Sequence, residues 1–97
     1  MAEHARVIRV TRFKPAPGKG EELAQKLETL SESVRPMEGC FGVQVCSVRE
    51  APEVVVVISR WASQSALDKL MSTGTQDMAQ ISGLLAEPPK AEHFEPL

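Results

Sequence analysis

The chain has one tryptophan, Trp61, and it ends a run of apolar residues, VVVVISRW at 54 to 61, directly after Ser59 and Arg60. An indole brings a broad apolar wall and a single N–H donor. His93 is the one group near the carboxyl end whose ordinary titration range spans neutral pH, the property a general base requires, while His4 falls at the other terminus. Arg9 and Thr11 share a face of one alternating segment and Arg12 takes the opposite face, so Arg9 and Thr11 are paired candidates for holding a polar atom of a ligand. Gln44 is a polar group on an otherwise apolar segment and needs a partner if it is buried. Met71 and Met78 sit in apolar stripes, where thioethers fill core space or line a site for an apolar molecule. Cys40 and Cys46 have neither a neighbouring histidine nor a CxxC spacing to generate a thiolate, and on one extended strand they stand about 20 Å apart, beyond disulfide reach. No metal site is read from these residues.

These side chains belong to a chain of 97 residues, read as one domain over 1–97, with 42% hydrophobic and 25% charged residues and a net charge of -2. That charge provides no footprint for nucleic acid. MAEHARVIRV breaks its apolar residues with Arg6 and Arg9 and so lacks a signal-peptide core, and no stretch of about 18 apolar residues is available to span a bilayer. The expectation is a cytoplasmic protein without membrane partners.

The elements that must position the candidates follow from periodicity. Residues 5 to 14, ARVIRVTRFK, read as a first strand stopped by Pro15, Pro17, Gly18 and Gly20. Leu23, Leu27, Leu30 and Val34 then recur on one face of a helix, with Glu21 and Glu22 in its first turn and Pro36 limiting its end. A second strand runs from Gly39 to Val48 and turns through Glu50, Ala51 and Pro52 into the valine run as an antiparallel hairpin. Ser63 caps a second helix with Ala66, Leu67, Leu70 and Met71 as its stripe; Met78, Ile81, Leu84 and Leu85 suggest a further short helical stretch. Between them, residues 72 to 75 read as a solvated linker or as the gate of a cavity. The tail forms a last edge strand from about residue 90, with Pro96 at its end. The order β-α-β-β-α-β is a ferredoxin-like α+β split βαβ arrangement, with both helices on one face of an antiparallel sheet.

That arrangement leaves the second face bare, yet the valine run is apolar on both sides: Val54, Val56 and Ile58 point one way, Val55 and Val57 the other. Leaving two valines in water forgoes about 3 kcal/mol, a large share of a small domain's stability. A homodimer with two sheets packed face to face is the expected solution.

Laid end to end, RFKPAPGKGEELAQKLETL, PMEGCFGVQVC, RWASQSALDKLM and PPKAEHFEPL resemble the antibiotic biosynthesis monooxygenase family of dimeric α/β barrels, over about residues 5 to 97. The most specific pieces are Pro36, Glu38 and Gly39 before the second strand, and Trp61, Ala62 and Ser63 followed by Ala66 and Leu67. None of these is a catalytic motif; such signatures identify a fold better than a reaction.

The resemblance implies an apolar cavity between helices and sheet, and chemistry that differs by branch. In the haem-degrading branch it implies an asparagine on the first strand, the tryptophan, and a histidine after it. Only Trp61 carries over: the first-strand position falls near Thr11, the chain has no asparagine, and no histidine lies between His4 and His93. In the branch that oxidises aromatic phenols, the deprotonated substrate itself activates O₂ and no cofactor is needed. Some members pair tyrosine and asparagine with the tryptophan; this chain has neither. Trp61 as pocket wall and donor and His93 as base are the catalytic candidates, and Thr11, Arg9, Gln44, Met71 and Met78 the residues expected to hold substrate. The expected activity is cofactor-independent oxidation of a small aromatic or quinone-like molecule. The alternatives are a ligand-binding dimer without catalysis and a haem-handling protein with non-standard ligation.

Overall fold

The computed structural model describes residues 5–73 and 79–97. It contains strands β1 (Val7–Phe13), β2 (Cys40–Val48), β3 (Ala51–Trp61) and β4 (Lys90–Phe94), helices α1 (Gly20–Val34) and α2 (Gln64–Thr73), and a 3-10 turn at Ser82–Leu84. The sheet order is β2-β3-β1-β4 and every pairing is antiparallel. This is the ferredoxin-like α+β arrangement expected from the periodicity. The sheet of one chain is open, not closed into a barrel.

Strand parity decides what each face carries. Val7, Arg9, Thr11 and Phe13 of β1 lie opposite Trp61, Ser59, Val57 and Val55 of β3 and share the helix-covered face. Ile8, Val10 and Arg12 lie opposite Arg60, Ile58 and Val56 on the other face, joined there by Gln44 and Cys46 of β2 and by Phe94 of β4. The alternation alone left open which set of valines the helices take; they take Val55 and Val57.

Two apolar clusters hold the helices down. Leu23 and Leu27 of α1 pack with Phe13, Val55, Ile81 and Leu84 at one end of the sheet. Ala66 and Leu67 of α2 pack with Val7 and Trp61 at the other. Fully burying a side chain such as Leu23 or Leu67 contributes about 1.5–3 kcal/mol. Helix α1 meets β2, β3 and the 3-10 turn, whereas α2 meets β3, so the two helices diverge over the middle of the sheet.

Local chemistry places α2. The Ser63 Oγ accepts the Ala66 backbone N–H at 3.2 Å, the capping bond its position predicts. Gly39 has φ +83°, and a Cβ there would stand 2.6 Å from the Ala66 Cβ. Only glycine allows both that backbone conformation and that approach of the helix. The Gly39 carbonyl also accepts the Ala62 N–H at 2.8 Å, closing the corner between β2 and α2.

Some boundaries move. The valine strand begins at Ala51, not after Pro52; the proline is tolerated because β1 pairs with β3 only from Val55 onward. Of the segment read as linker or gate, Ser72 and Thr73 extend α2, while Gly74 and Thr75 lie outside the described residues. The tail is the edge strand expected, exposed throughout and bonded to β1. Cys40 and Cys46 are free thiols.

Candidate functional site

Where α1 and α2 diverge, a cavity of about 320 Å³ opens between the helices and the sheet, at the lower end of the range for small-molecule sites. Its floor is Arg9, Thr11 and Phe13 of β1, Val57 and Ser59 of β3 and Val43 of β2; its walls are Leu27, Leu30, Ser31 and Val34 of α1, Leu70 and Met71 of α2, and Ile81. The lining is predominantly apolar, with its few polar groups concentrated on the floor.

The helix supplies one polar group that is already satisfied. Ser31 stands on the apolar stripe of α1, four residues after Leu27, and donates its hydroxyl to the Leu27 carbonyl at 2.8 Å. A serine in that stripe leaves space where a leucine would fill it. The sheet supplies groups that are not satisfied in the same way. Ser59 Oγ accepts the Trp61 indole N–H at 2.9 Å, and among the described residues its own proton has no acceptor.

Arg9 lies directly opposite Ser59 in the β1–β3 register. Its Nε is withdrawn from solvent without a hydrogen-bond partner, and among the described residues it joins no ion pair. Burial pulls its pKa below the usual arginine value by desolvation of the charged form. Guanidinium groups nevertheless remain protonated in proteins. A buried donor left without an acceptor costs about 1–3 kcal/mol, so the Arg9 Nε is a destabilising feature of the cavity floor unless an acceptor meets it.

Three of the residues expected to hold substrate, Arg9, Thr11 and Met71, line this cavity, with Met71 at 47% exposure near its mouth. Trp61 does not. It is fully buried behind the floor among Val7, Ala66 and Leu67, because α2 starts so soon after β3 that the helix folds back over the indole. Its link to the cavity runs through Ser59. His93 is opposite Arg9 on β4, on the helix side of the sheet, but it is exposed and outside the lining. Gln44 pairs with Ile58 on the uncovered face and is exposed, so it is neither buried nor part of the cavity. Met78 lies outside the described residues.

Sequence reading passed over Ser59 and Ser31 as site residues. The parity of Ser59 with Val55 and Val57 was visible, and so was the interruption of an otherwise aliphatic helical stripe at Ser31. Among the described residues no group of three or more His, Cys, Asp or Glu side chains converges on a point that could hold a metal ion. Nor is any described helix long and apolar enough to cross a membrane.

Solved structures share this architecture closely. Rv0793 from Mycobacterium tuberculosis superposes with a TM-score of 0.86 at 24% identity, over 96% of each chain. A conserved protein from Methanosarcina mazei Go1 gives 0.85 at 21% identity, over 96% of this chain and 95% of that one. A structure described as an antibiotic biosynthesis monooxygenase gives 0.83 at 16% identity, over 94% and 98%. At these identities the likeness establishes the fold. No curated protein matches the chain. A model of the antibiotic biosynthesis monooxygenase family, however, matches residues 6–80, the span that carries β1 through α2, Gly39, Trp61 and most of the cavity lining. The chain belongs to the antibiotic biosynthesis monooxygenase family.

Proposed function

We propose that this protein is a cytoplasmic homodimer that oxidises a small aromatic or quinone-like molecule with O₂, without a cofactor, in the cavity between its helices and sheet. The cavity carries the reading: it is mostly apolar, bounded by α1, α2 and the sheet, and sized for a small ring system. A hydroxyanthrone fits the chemistry. Its deprotonated form is electron-rich enough to reduce O₂, two C–H bonds at the ring methylene are replaced by a carbonyl, and the second oxygen atom leaves as water. Arg9, Thr11 and Ser59 orient the ring oxygens, Trp61 holds Ser59 from behind, and His93, paired with Arg9 on β4 but exposed outside the lining, takes the phenolic proton through water.

The dimer rests on the uncovered face. Ile8, Val10, Val56 and Ile58 form an apolar strip bordered by Arg12, Arg60, Gln44 and Glu92, an apolar centre with a polar rim. A second reading, ligand binding without turnover, is favoured by one observation: among the described residues, the cavity lining contains no carboxylate, histidine or thiol to act as a base.

The deciding experiment records oxygen uptake and indole fluorescence on a panel of hydroxyanthrones and hydroquinones, with Val57→Phe as a folded control whose cavity is blocked. Uptake by the unaltered protein that the phenylalanine abolishes supports the oxygenase. A fluorescence change without uptake across the panel overturns catalysis and leaves the binding reading standing.

A further inference from the structure

Resting on the reading of the cavity as a ligand site, we infer that its ligand carries one anionic oxygen, a phenolate, enolate or carboxylate, held by the Arg9 guanidinium and the Ser59 hydroxyl. The cavity floor offers donors without an acceptor to match. Arg9 Nε is buried and unpaired. Ser59 uses one lone pair on the Trp61 N–H and keeps its proton to give. The two residues are direct cross-strand partners on the same face and both line the cavity, so they stand side by side on its floor. The remaining hydroxyl of known partner, Ser31, is turned back on its own helix, and among the described residues the lining holds no carboxylate that could serve as internal counterion. A buried guanidinium nitrogen without an acceptor weakens the free protein, and an anion entering the cavity supplies the missing partner through charge-assisted hydrogen bonds. Leu27, Leu30 and Val57 offer mostly apolar surface for the rest of the ligand. A molecule with one charged end and a flat apolar body fits both halves.

Titration calorimetry with 2-naphthoate and 2-naphthalenemethanol tests this, because the two probes share a ring system and differ in charge. The unaltered protein should bind naphthoate at least about tenfold more tightly, the scale of one charge-assisted hydrogen bond. Arg9→Gln should erase that preference while keeping the affinity for the alcohol, and Arg9→Lys, which retains charge but loses the planar fork, should keep part of it. Thermal melting provides a readout independent of affinity. Ligand-free Arg9→Gln should melt above the unaltered protein, and naphthoate should raise the midpoint of the unaltered protein far more than that of the variant. Should Arg9→Gln fail to fold, Arg9→Lys and Ser59→Ala carry the same comparison, each with a reduced preference. Equal affinity for the two probes in the unaltered protein, or a preference that survives every substitution, overturns the anion inference alone. Binding of neither probe overturns the ligand cavity and this inference with it.

Discussion

The two faces of the sheet are built from the same strands and solve opposite problems. On the helix side, Phe13, Val55 and Trp61 are packed to near-complete burial at the two ends, and space is left between them where Ser59, Arg9 and Thr11 stand. On the other side, among the described residues, no element covers the strip of Ile8, Val10 and Ile58, which stays only half-buried. One face is closed except for a deliberate gap; the other is open and uniform. A gap among tightly packed side chains selects a ligand by shape, whereas a uniform apolar strip with charged margins suits a broad, flat partner.

Substitutions on β3 should separate the two faces most sharply. Val55→Asp places a carboxylate among Phe13, Leu23 and Ile81 and should cost about 4 kcal/mol or more, enough to unfold a domain of this size. Circular dichroism would register it. Ile58→Asp, three residues along and facing the other way, should leave the fold intact and reduce the light-scattering mass from twice 10.6 kDa to 10.6 kDa. A folded Val55→Asp, or an Ile58→Asp protein that stays dimeric, would break the contrast. A smaller effect is expected at Gly39, where alanine meets both a left-handed backbone and the Ala66 methyl; a loss of about 2 kcal/mol should appear as a lower urea midpoint. Its assembly state should not change, because the damage is confined to the helix side. Ser63→Ala should cost least, about 1 kcal/mol for the lost cap, again without altering assembly.

How far all this could be read in advance differs by feature. The strand and helix periods were strong enough to deliver element order and topology, since each hydrophobic stripe in α1 and α2 fits one period only. The two-sided valine run led to the expectation that β3 is covered on both sides but did not say which side faces the helices, and the placement of Gln44 hung on that choice. Arg9, Thr11 and Met71 were legible as residues that line the cavity because polar or polarizable groups at those positions share faces with apolar ones. Trp61 drew attention by rarity, yet its bulk is what the corner between β3 and α2 needs for filling. Ser59, two residues earlier and unremarkable by type, is the one that meets the cavity. A side chain's role there depends on how the following helix turns back, which no local spacing encodes.

The order of the sheet also sets when the cavity comes into being. β2 and β3 are joined by a short turn and can pair as soon as both exist, but β1 waits for β3 across the whole of α1 and β2, and β4 waits for β1 across nearly the full chain. Such non-local closures are slow to form. Because the cavity lining reaches from Arg9 to Ile81, a nascent chain leaving the ribosome can hold its hairpin and its first helix well before it has anywhere to put a ligand.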